Sequence, residues 1–306
     1  MNYTAVIRTL GTAGGKYQQL LDSLDSQSVQ PDEIIVYIAE GFQLPKETIG
    51  KERYVYVKKG MVAQRALRYD EVKTEYILFL DDDVYLPPTA VETLYRELKE
   101  NEGDVISPCV FHNHKTSVKS KNIRTLTGKE VFRLWGDRWA YKVLPTAGFS
   151  YLNNPTKAVY ESQSNAGPCF FCKKEHFLKI HFEEELWLDN APYALPEDQV
   201  MFYKMYLCGL KVLTSFDSGI VHLDAGSTTA NTEDKIARLI YSEYRNKLIF
   251  WYKFIYKSAN YCKLVALLGI VYACVIQCAK YSFINKKYSK AFFKGLKDAI
   301  QYIKEL

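Results

Sequence analysis

The chain has 306 residues, of which 48% are apolar, 25% are charged and 14% are aromatic. This length and apolar content are enough to fill a core, which excludes a wholly disordered chain. The formal net charge of +5 is unevenly spread, because residues 235–306 carry 14 Lys and Arg against three Asp and Glu. Such a basic, aromatic-rich end predicts an anionic partner, either a nucleic acid or a lipid surface.

Seven cysteines are scattered through the chain, and Met1 is followed almost directly by "YTAVIRTL". An odd number of scattered cysteines does not predict a disulfide framework. The opening residues also lack the charged and apolar regions of a signal peptide. We therefore expect a reduced, cytoplasmic location.

Strand and helix patterns alternate over the first 80 residues. Residues 3–10 predict a buried strand, and "KYQQLLDSLDSQS" has the apolar spacing of a helix. "DEIIVYI" and "RYVYV" predict two further strands, residues 61–72 a helix, and "YILFL" a fourth strand that is apolar on both faces. This alternation predicts an α/β fold with an open, mostly parallel sheet flanked by helices, in which ligands bind at the carboxyl ends of the strands.

Three consecutive carboxylates, Asp81, Asp82 and Asp83, follow "YILFL" directly and so lie at such a strand end. Adjacent carboxylates repel each other unless a cation or a set of donors offsets their charge, and a hard divalent ion is the usual solution. The alternative is a solvated turn, since Asp favours strand ends and turns. The position of the three residues favours a metal site.

The chain is less regular after the aspartates. Residues 110–165 are rich in Lys, Asn and Thr and indicate an insertion that could shape a second substrate pocket. "PEDQVMFYKMYLCG" then predicts a helix that begins near Pro196 and ends near Gly209, and "KVLTSF" predicts a strand. "CFFC" is a lone cysteine pair, which indicates buried thiols rather than a zinc site.

The C-terminal quarter predicts helices. Residues 234–257 form an aromatic-rich helical pattern, and Leu264–Ala279 is an almost entirely apolar run of 16 residues with Lys263 and Lys280 at its ends. A full membrane span needs about 20 residues. Beyond the run, apolar and Lys residues fall on opposite sides of one helix, which is typical of membrane-surface helices. We therefore expect residues 263–306 to bind an anionic membrane surface and no nucleic acid; the alternative is a helical lid packed on the preceding domain.

The stretch "ILFLDDDV" resembles the strand and Asp-x-Asp motif of the family 2 glycosyltransferases, which have the GT-A nucleotide-diphospho-sugar transferase fold. "LLDSLDSQSVQPDEIIV" and "GMVAQRALRYDEVKTEYILFLDDD" are similar, in the same order, to segments that precede the motif in that family. The resemblance implies a GT-A catalytic domain over residues 1–225, with an acceptor-side region at 110–195. The helical tail would then cover residues 226–306.

The same resemblance implies roles for the aspartates. In this family the motif holds Mn or Mg against the diphosphate of a nucleoside-diphosphate sugar, so Asp83 and Asp81 are the implied metal ligands. Asp81 is implied to contact the ribose or the metal, and the resemblance leaves either role open to Asp82. His222, in "IVHLDAGST", is similar to a histidine that completes the metal site or touches the diphosphate in some members. A lone histidine is otherwise often structural.

"PEDQ" resembles the Glu-Asp motif of the family, in which a carboxylate is the general base of an inverting displacement. This implies Asp198 as the base and Glu197 as its neighbour. Such a base must reach the acceptor hydroxyl within hydrogen-bond distance. The alternative is an ordinary acidic residue at a helix start.

The implied nucleoside contacts are Arg8, Thr9 and Glu40 at strand ends and Arg65 in the "AQRA" segment. Many members have Pro-Thr at the first strand end and Asp-Asp-Gly-Ser after the second strand, where this chain has Arg-Thr and "YIAEG". The departure leaves the identity of the nucleotide open.

The resemblance thus implies an inverting, metal-dependent hexosyl- or deoxyhexosyltransferase of polysaccharide biosynthesis, acting on a glycan or lipid-linked acceptor at the inner face of the cell membrane. One alternative is an inactive membrane-bound module that binds a sugar nucleotide or a glycan. A second is a haloacid-dehalogenase-like phosphatase, because "FLDDDVYL" superficially resembles the motif of those enzymes. Tyr85 replaces the usual Thr or Val of that motif, and three predicted strands precede it.

Overall fold

The computed structural model describes residues 1–110, 130–132, 138–152, 155–223, 232–258 and 260–306. The strands are β1 (Tyr3–Thr9), β2 (Glu33–Ala39), β3 (Glu52–Val57), β4 (Tyr76–Asp81), β5 (Val84–Tyr85), β6 (Val105–Pro108), β7 (Glu130–Phe132), β8 (Trp139–Val143), β9 (Phe149–Tyr151), β10 (Val159–Ser162), β11 (Cys169–Lys173), β12 (Val212–Ser215) and β13 (Val221–His222). The α-helices are α1 (Gly15–Asp25), α2 (Ala90–Glu100), α3 (Lys174–Leu178), α4 (Glu197–Leu207), α5 (Glu233–Phe250), α6 (Lys263–Ala279) and α7 (Ser289–Lys304). A 3-10 helix covers Phe182–Asn190, and π-helical turns extend α5 over Trp251–Tyr256 and α6 over Lys280–Ile284.

One large sheet organises the domain. Its strand order is β3-β2-β1-β4-β11-β6-β12-β10-β8-β9-β7. The four strands from β3 to β4 are parallel, and β11 runs antiparallel between β4 and β6. The predicted α/β fold with a mostly parallel open sheet is confirmed, and so is the C-terminal helical extension.

Strand β4 shows why the sheet is buried on both faces. Its side chains alternate between two hydrophobic clusters, with Ile77 and Phe79 in one and Leu78 and Leu80 in the other, all at most 4% exposed. Helices α1 and α2 cover the second face, whereas α4 and the C-terminal helices cover the first. The apolar residues of "YILFL" therefore form a strand enclosed between two helical layers, as expected.

The first helix of the tail is part of the domain core. Phe250 of α5 packs in the same hydrophobic cluster as Phe202 of α4. Glu185, which is buried, accepts hydrogen bonds from Lys204 of α4 at 2.9 Å and from Lys253, just beyond α5, at 2.7 Å. Because this buried carboxylate pairs with two lysines from different segments, it ties the tail to the α/β domain.

The helix predicted over residues 61–72 is wrong. The backbone there makes one helical turn, with hydrogen bonds from Gln64 N to Gly60 O and from Ala66 N to Val62 O. The chain then passes through a positive φ of 55° at Tyr69, which a continuing right-handed helix does not contain. The apolar spacing of the segment reflects burial of a turn against the sheet rather than a helix.

Candidate functional site

The candidate site lies where the parallel strands β1 and β4 end. Arg8 and Asp81 are register partners on these neighbouring strands. The Arg8 guanidinium makes an ion pair with the Asp81 carboxylate, and its Nη1 donates to Glu197 Oε1 at 2.9 Å. Residues distant in sequence therefore meet at the carboxyl edge of the sheet, where open α/β folds bind ligands.

Arg65 is the second cation of the cluster and is only 3% exposed. Its Nη1 donates to Asp198 Oδ1 at 2.7 Å, and its Nη2 donates to Gly167 O at 2.9 Å and to Asp81 Oδ1 at 3.3 Å. Two arginines and three carboxylates thus form one network, in which each buried charge has a partner of opposite sign.

The network shifts the pKa values of its carboxyl groups in opposite directions. Burial alone would raise the pKa of Asp81, but the guanidinium groups of Arg8 and Arg65 outweigh burial and lower it. For Glu197, burial and the neighbouring Asp198 carboxylate raise the pKa, against the opposing effect of the two arginines. Asp81 is therefore held as a carboxylate, because both arginines favour its charged form.

The three consecutive aspartates have three different partners. Asp81 faces the arginines, the Thr9 hydroxyl donates a hydrogen bond to Asp82 Oδ2, and Asp83 Oδ1 lies 3.1 Å from His222 Nε2. Burial, together with the carboxylates on either side, raises the pKa of Asp82 to about 6 despite the hydrogen bond from Thr9. Each aspartate thus has its own partner, but repulsion from the neighbouring carboxylates persists at Asp82 and contributes to its raised pKa.

A small two-stranded sheet places His222 beside the aspartates. In this antiparallel pair, His222 is the register partner of Val84, the residue that follows Asp83. The backbone N–H of Leu223 also donates to Asp83 O at 2.7 Å. The proximity of His222 and Asp83 therefore follows from backbone pairing, which no local sequence pattern indicates.

Asp83 and His222 pair directly, at a separation that two ligands of one divalent ion can also have. Two ligands bound at about 2.1 Å to an octahedral ion lie roughly 3 Å apart when they are adjacent. Asp83 Oδ1 and His222 Nε2 are 3.1 Å apart, and the Asp83 side chain is 9% exposed. Within the described ranges, the structure contains no cluster of three or more His, Cys, Asp or Glu that could hold a metal ion. Asp81, the other implied ligand, is turned toward the arginines.

Gln64 and Gly167 are site residues that the sequence did not predict. Gln64 Nε2 donates to Thr9 O at 3.0 Å, which fastens the turn after β3 to the end of β1. A Cβ at Gly167 would lie 2.1 Å from Asp198 Oδ1 and 2.7 Å from Arg65 Nη1. The ion pair between these two side chains requires a glycine here. The only available signal was the "GP" dipeptide before "CFFC".

Asp189 supports the turn that carries Arg65, and sequence analysis missed it too. Its Oδ1 accepts from Val62 N at 3.1 Å, and its Oδ2 accepts from Ala63 N at 2.9 Å. A Cβ at Gly60 would lie 2.3 Å from Asp189 Oδ2, so the carboxylate packs closely on the turn. Asp189 thus satisfies backbone donors that a single helical turn leaves without partners.

The structure brings together nine of the ten residues predicted for the site, which are Arg8, Thr9, Arg65, Asp81, Asp82, Asp83, Glu197, Asp198 and His222. Glu40, the tenth, is exposed after β2, and its backbone N–H donates to Val57 O. Of the acceptor-side region predicted at 110–195, residues 111–129, 133–137 and 153–154 lie outside the described residues.

Known proteins resemble the chain in sequence. Residues 50–163 match the model of glycosyl transferase family 2. Glycosyltransferase GlyA of Streptococcus pneumoniae serotype 4 is 25% identical over 205 residues, which are 64% of this chain and 27% of that protein. The chain therefore spans little more than a quarter of this relative's length.

Solved structures resemble it in fold. The S. aureus TarS fragment 1–349 superposes with a TM-score of 0.55 and 13% identity, covering 98% of this chain and 80% of that one. The same fragment with UDP-GlcNAc has a TM-score of 0.53 and 14% identity, over 98% and 81% of the two chains. GalNAc-T7 with UDP, GalNAc and Mn2+ has a TM-score of 0.56 and 12% identity, and the match covers 95% of this chain and 58% of that one. The predicted resemblance to GT-A family 2 glycosyltransferases is confirmed.

Proposed function

We propose that this chain, similar to family 2 glycosyltransferases in sequence and to GT-A enzymes in fold, is an inverting glycosyltransferase. It would move a hexosyl or deoxyhexosyl group from a nucleoside-diphosphate sugar to a hydroxyl of a glycan or lipid-linked acceptor. The observation that carries the proposal is the convergence of Asp81, Asp83, Asp198 and His222 at the carboxyl edge of the sheet. A polysaccharide precursor is the acceptor class we favour.

Asp198 is the proposed general base. Its side chain is 25% exposed, so it can reach an acceptor, while Arg65 holds one of its oxygens at 2.7 Å. The free oxygen would accept the acceptor's hydroxyl proton as the hydroxyl oxygen bonds to the anomeric carbon. The bond from that carbon to the phosphate oxygen breaks, and its electron pair leaves with the nucleoside diphosphate. Attack opposite the diphosphate inverts the anomeric centre.

The donor would lie over the ends of β1 and β4. Arg8, Thr9, Asp81 and Asp82 are proposed to contact its nucleoside. Asp83 and His222 would hold a Mn or Mg ion, with the remaining ligands supplied by diphosphate oxygens and water, as is usual for such ions. Such an ion would supply positive charge to offset the charge that develops on the departing diphosphate. UDP is the first nucleotide to test, because the similar TarS and GalNAc-T7 structures contain UDP-GlcNAc and UDP.

The tail is proposed to keep the enzyme at the cytoplasmic face of the membrane through residues 263–306. In the part of the chain that the structure describes, one helix, Lys263–Ile284, is long and apolar enough to cross a membrane by length and composition, and 28% of its apolar window is buried. Attachment would place a lipid-linked acceptor within reach of the site.

The experiment that tests the reaction is turnover of UDP-, GDP- and dTDP-sugars by the purified chain with Mn or Mg, with and without EDTA. We expect one donor to release its nucleoside diphosphate only when metal is present, and Asp83→Ala to abolish the release while the protein stays folded. Metal-dependent nucleotide binding without turnover, with lipid-linked and glycan acceptors supplied, would instead support the inactive binding module. Full activity of Asp83→Ala would overturn the metal site.

A further inference from the structure

Helix α6 and its π-helical end have two unlike faces. One side is buried and consists of Ala266, Ile270, Ala273 and Gln277, all at most 8% exposed. The opposite side is apolar and faces outward. Its exposed large side chains are Leu264, Val265, Leu267, Leu268, Val271, Tyr272, Val275, Phe283 and Ile284, at 40–78% exposure. So large an exposed apolar surface marks an interaction site.

The buried side of α6 is fastened to the domain along its length. Near its start, Trp251 Nε1 donates to Ala266 O at 3.2 Å, and near its end the Tyr244 hydroxyl donates to Gln277 Oε1 at 2.7 Å. The two bonded α6 residues, Ala266 and Gln277, are 11 residues apart, which is about 16 Å along the helix. Between them, a Cβ at Gly269 would lie 2.8 Å from Pro145, so the backbones are in close contact. A helix packed in this way cannot cross a bilayer unless the domain separates from it.

The charge around the exposed face identifies its partner. Residues 244–297 contain eleven Lys and Arg and no Asp or Glu. Lys263 and Lys280 lie at the two ends of α6, and Lys286 follows its π-helical end, whereas the neighbouring Lys287 pairs with Glu233 at 2.7 Å. A second copy of this chain, docked on the same face, would bring like charges together. An anionic lipid surface instead accepts both the apolar side chains and the lysines.

We infer that α6 lies in the plane of an anionic lipid bilayer, immersed on its exposed side and packed on the catalytic domain on its other side. This inference rests on the proposed membrane attachment and adds its geometry: both ends of α6 stay on the cytoplasmic side. The catalytic domain is then held directly against the surface rather than tethered at a distance.

The apolar face is tested by flotation of the full chain with vesicles of 30% phosphatidylglycerol and 70% phosphatidylcholine. In the double variant Leu268→Glu, Val275→Glu, the ratio of vesicle-bound to free protein should fall at least about tenfold. The reason is that two immersed apolar side chains become charged. The matched control is Leu44→Glu, Leu186→Glu, which changes two exposed residues elsewhere and should float like the unaltered chain. Equal flotation of both variants would overturn the assigned face.

The in-plane geometry is tested on the bound protein with a membrane-impermeant maleimide added outside sealed vesicles. Cys262 is exposed just before α6, and Lys286→Cys provides a thiol just after it. Both thiols should react, as read by peptide mass spectrometry. Protection of one end until the vesicles are lysed would show a spanning helix and overturn the inference while leaving attachment intact. Failure of the unaltered chain to float would overturn attachment itself, and turnover of soluble donors would still report on the proposed reaction.

Discussion

Arg65 and Asp198, 133 residues apart in sequence, form a 2.7 Å ion pair inside the candidate site. Arg65 reaches the proposed base from a turn, and Asp198 stands in the first turn of α4. The pair links the turn after β3 to the helix that carries the proposed base.

Removal of the Arg65 cation should destabilise the protein. Arg65→Met leaves Asp81, Glu197 and Asp198 in the cluster without one of their cations, and breaking a buried ion pair costs about 3–5 kcal/mol. Urea unfolding measures this loss. Arg68→Met is the control, since Arg68 is 89% exposed, and its effect should stay within about 0.5 kcal/mol. Similar losses in both variants would contradict the network's role.

Asp198→Asn should leave nucleotide binding intact and lower kcat for transfer by about 10²–10⁴-fold, because the amide cannot take the acceptor's proton. Stopped-assay product formation and titration of the donor separate the two effects. Asp70→Asn, an exposed residue outside the site, should behave like the unaltered protein. A fully active Asp198→Asn would exclude this residue as the base.

Gly167→Ala should displace Asp198, the proposed base. The added methyl group would overlap Asp198 Oδ1, and displacement of a catalytic group by about 1 Å can cost about 10²-fold in rate. Gly15→Ala is the matched control, because a Cβ there meets no atom within 4 Å. The measurement is kcat for transfer, with the far-ultraviolet circular dichroism spectrum as a check on folding. Unchanged kcat in Gly167→Ala would show that the close packing has no catalytic consequence.

Asp189 should act on the reaction through the turn that it caps. Asp189→Ala removes two acceptors from backbone N–H groups, which should cost about 0.5–2 kcal/mol of stability and lower kcat more than it raises KM. Asp189→Asn keeps one acceptor oxygen and should recover part of both losses. Glu183→Ala, an exposed change in the same 3-10 helix, is the control. A purely structural role would lower stability and leave kcat unchanged.

Glu97 on α2 should make the protein less stable as pH rises. Burial raises its pKa above the ordinary 4.5, and within the described chain its Oε2 has no hydrogen-bond partner. Between pH 4.5 and the raised pKa of Glu97, the folded protein keeps a proton that the unfolded chain has lost. Stability therefore falls as pH rises through this range. Glu97→Gln should raise the melting temperature at pH 7 relative to the unaltered chain, and this gain should vanish near pH 4. Glu100→Gln, an exposed change on the same helix, should show no such pH-dependent difference.

Local patterns predicted the elements of the sheet well but misassigned a turn. Each of the first four strands was expected within about one residue of its observed bounds, since a short apolar run is a property of neighbouring residues. The predicted helix at 61–72 was wrong because long-range contacts hold that segment as a turn. Asp189 binds its backbone, and the side chains of Gln64 and Arg65 bind groups of the site. Those partners are distant in sequence, so no window of local pattern contains them.

The sequence by itself determined the α/β class, the run of aspartates at a strand end, the acidic start of α4 and the basic, apolar tail. Each of these features depends only on residues that are neighbours along the chain. Only the tertiary structure decided which groups meet. Asp81 turns to Arg8 and Arg65, Asp83 turns to His222, and one side of α6 is covered while the other is left exposed. These outcomes depend on strand register and helix packing between distant segments, which charge and periodicity along the chain do not specify.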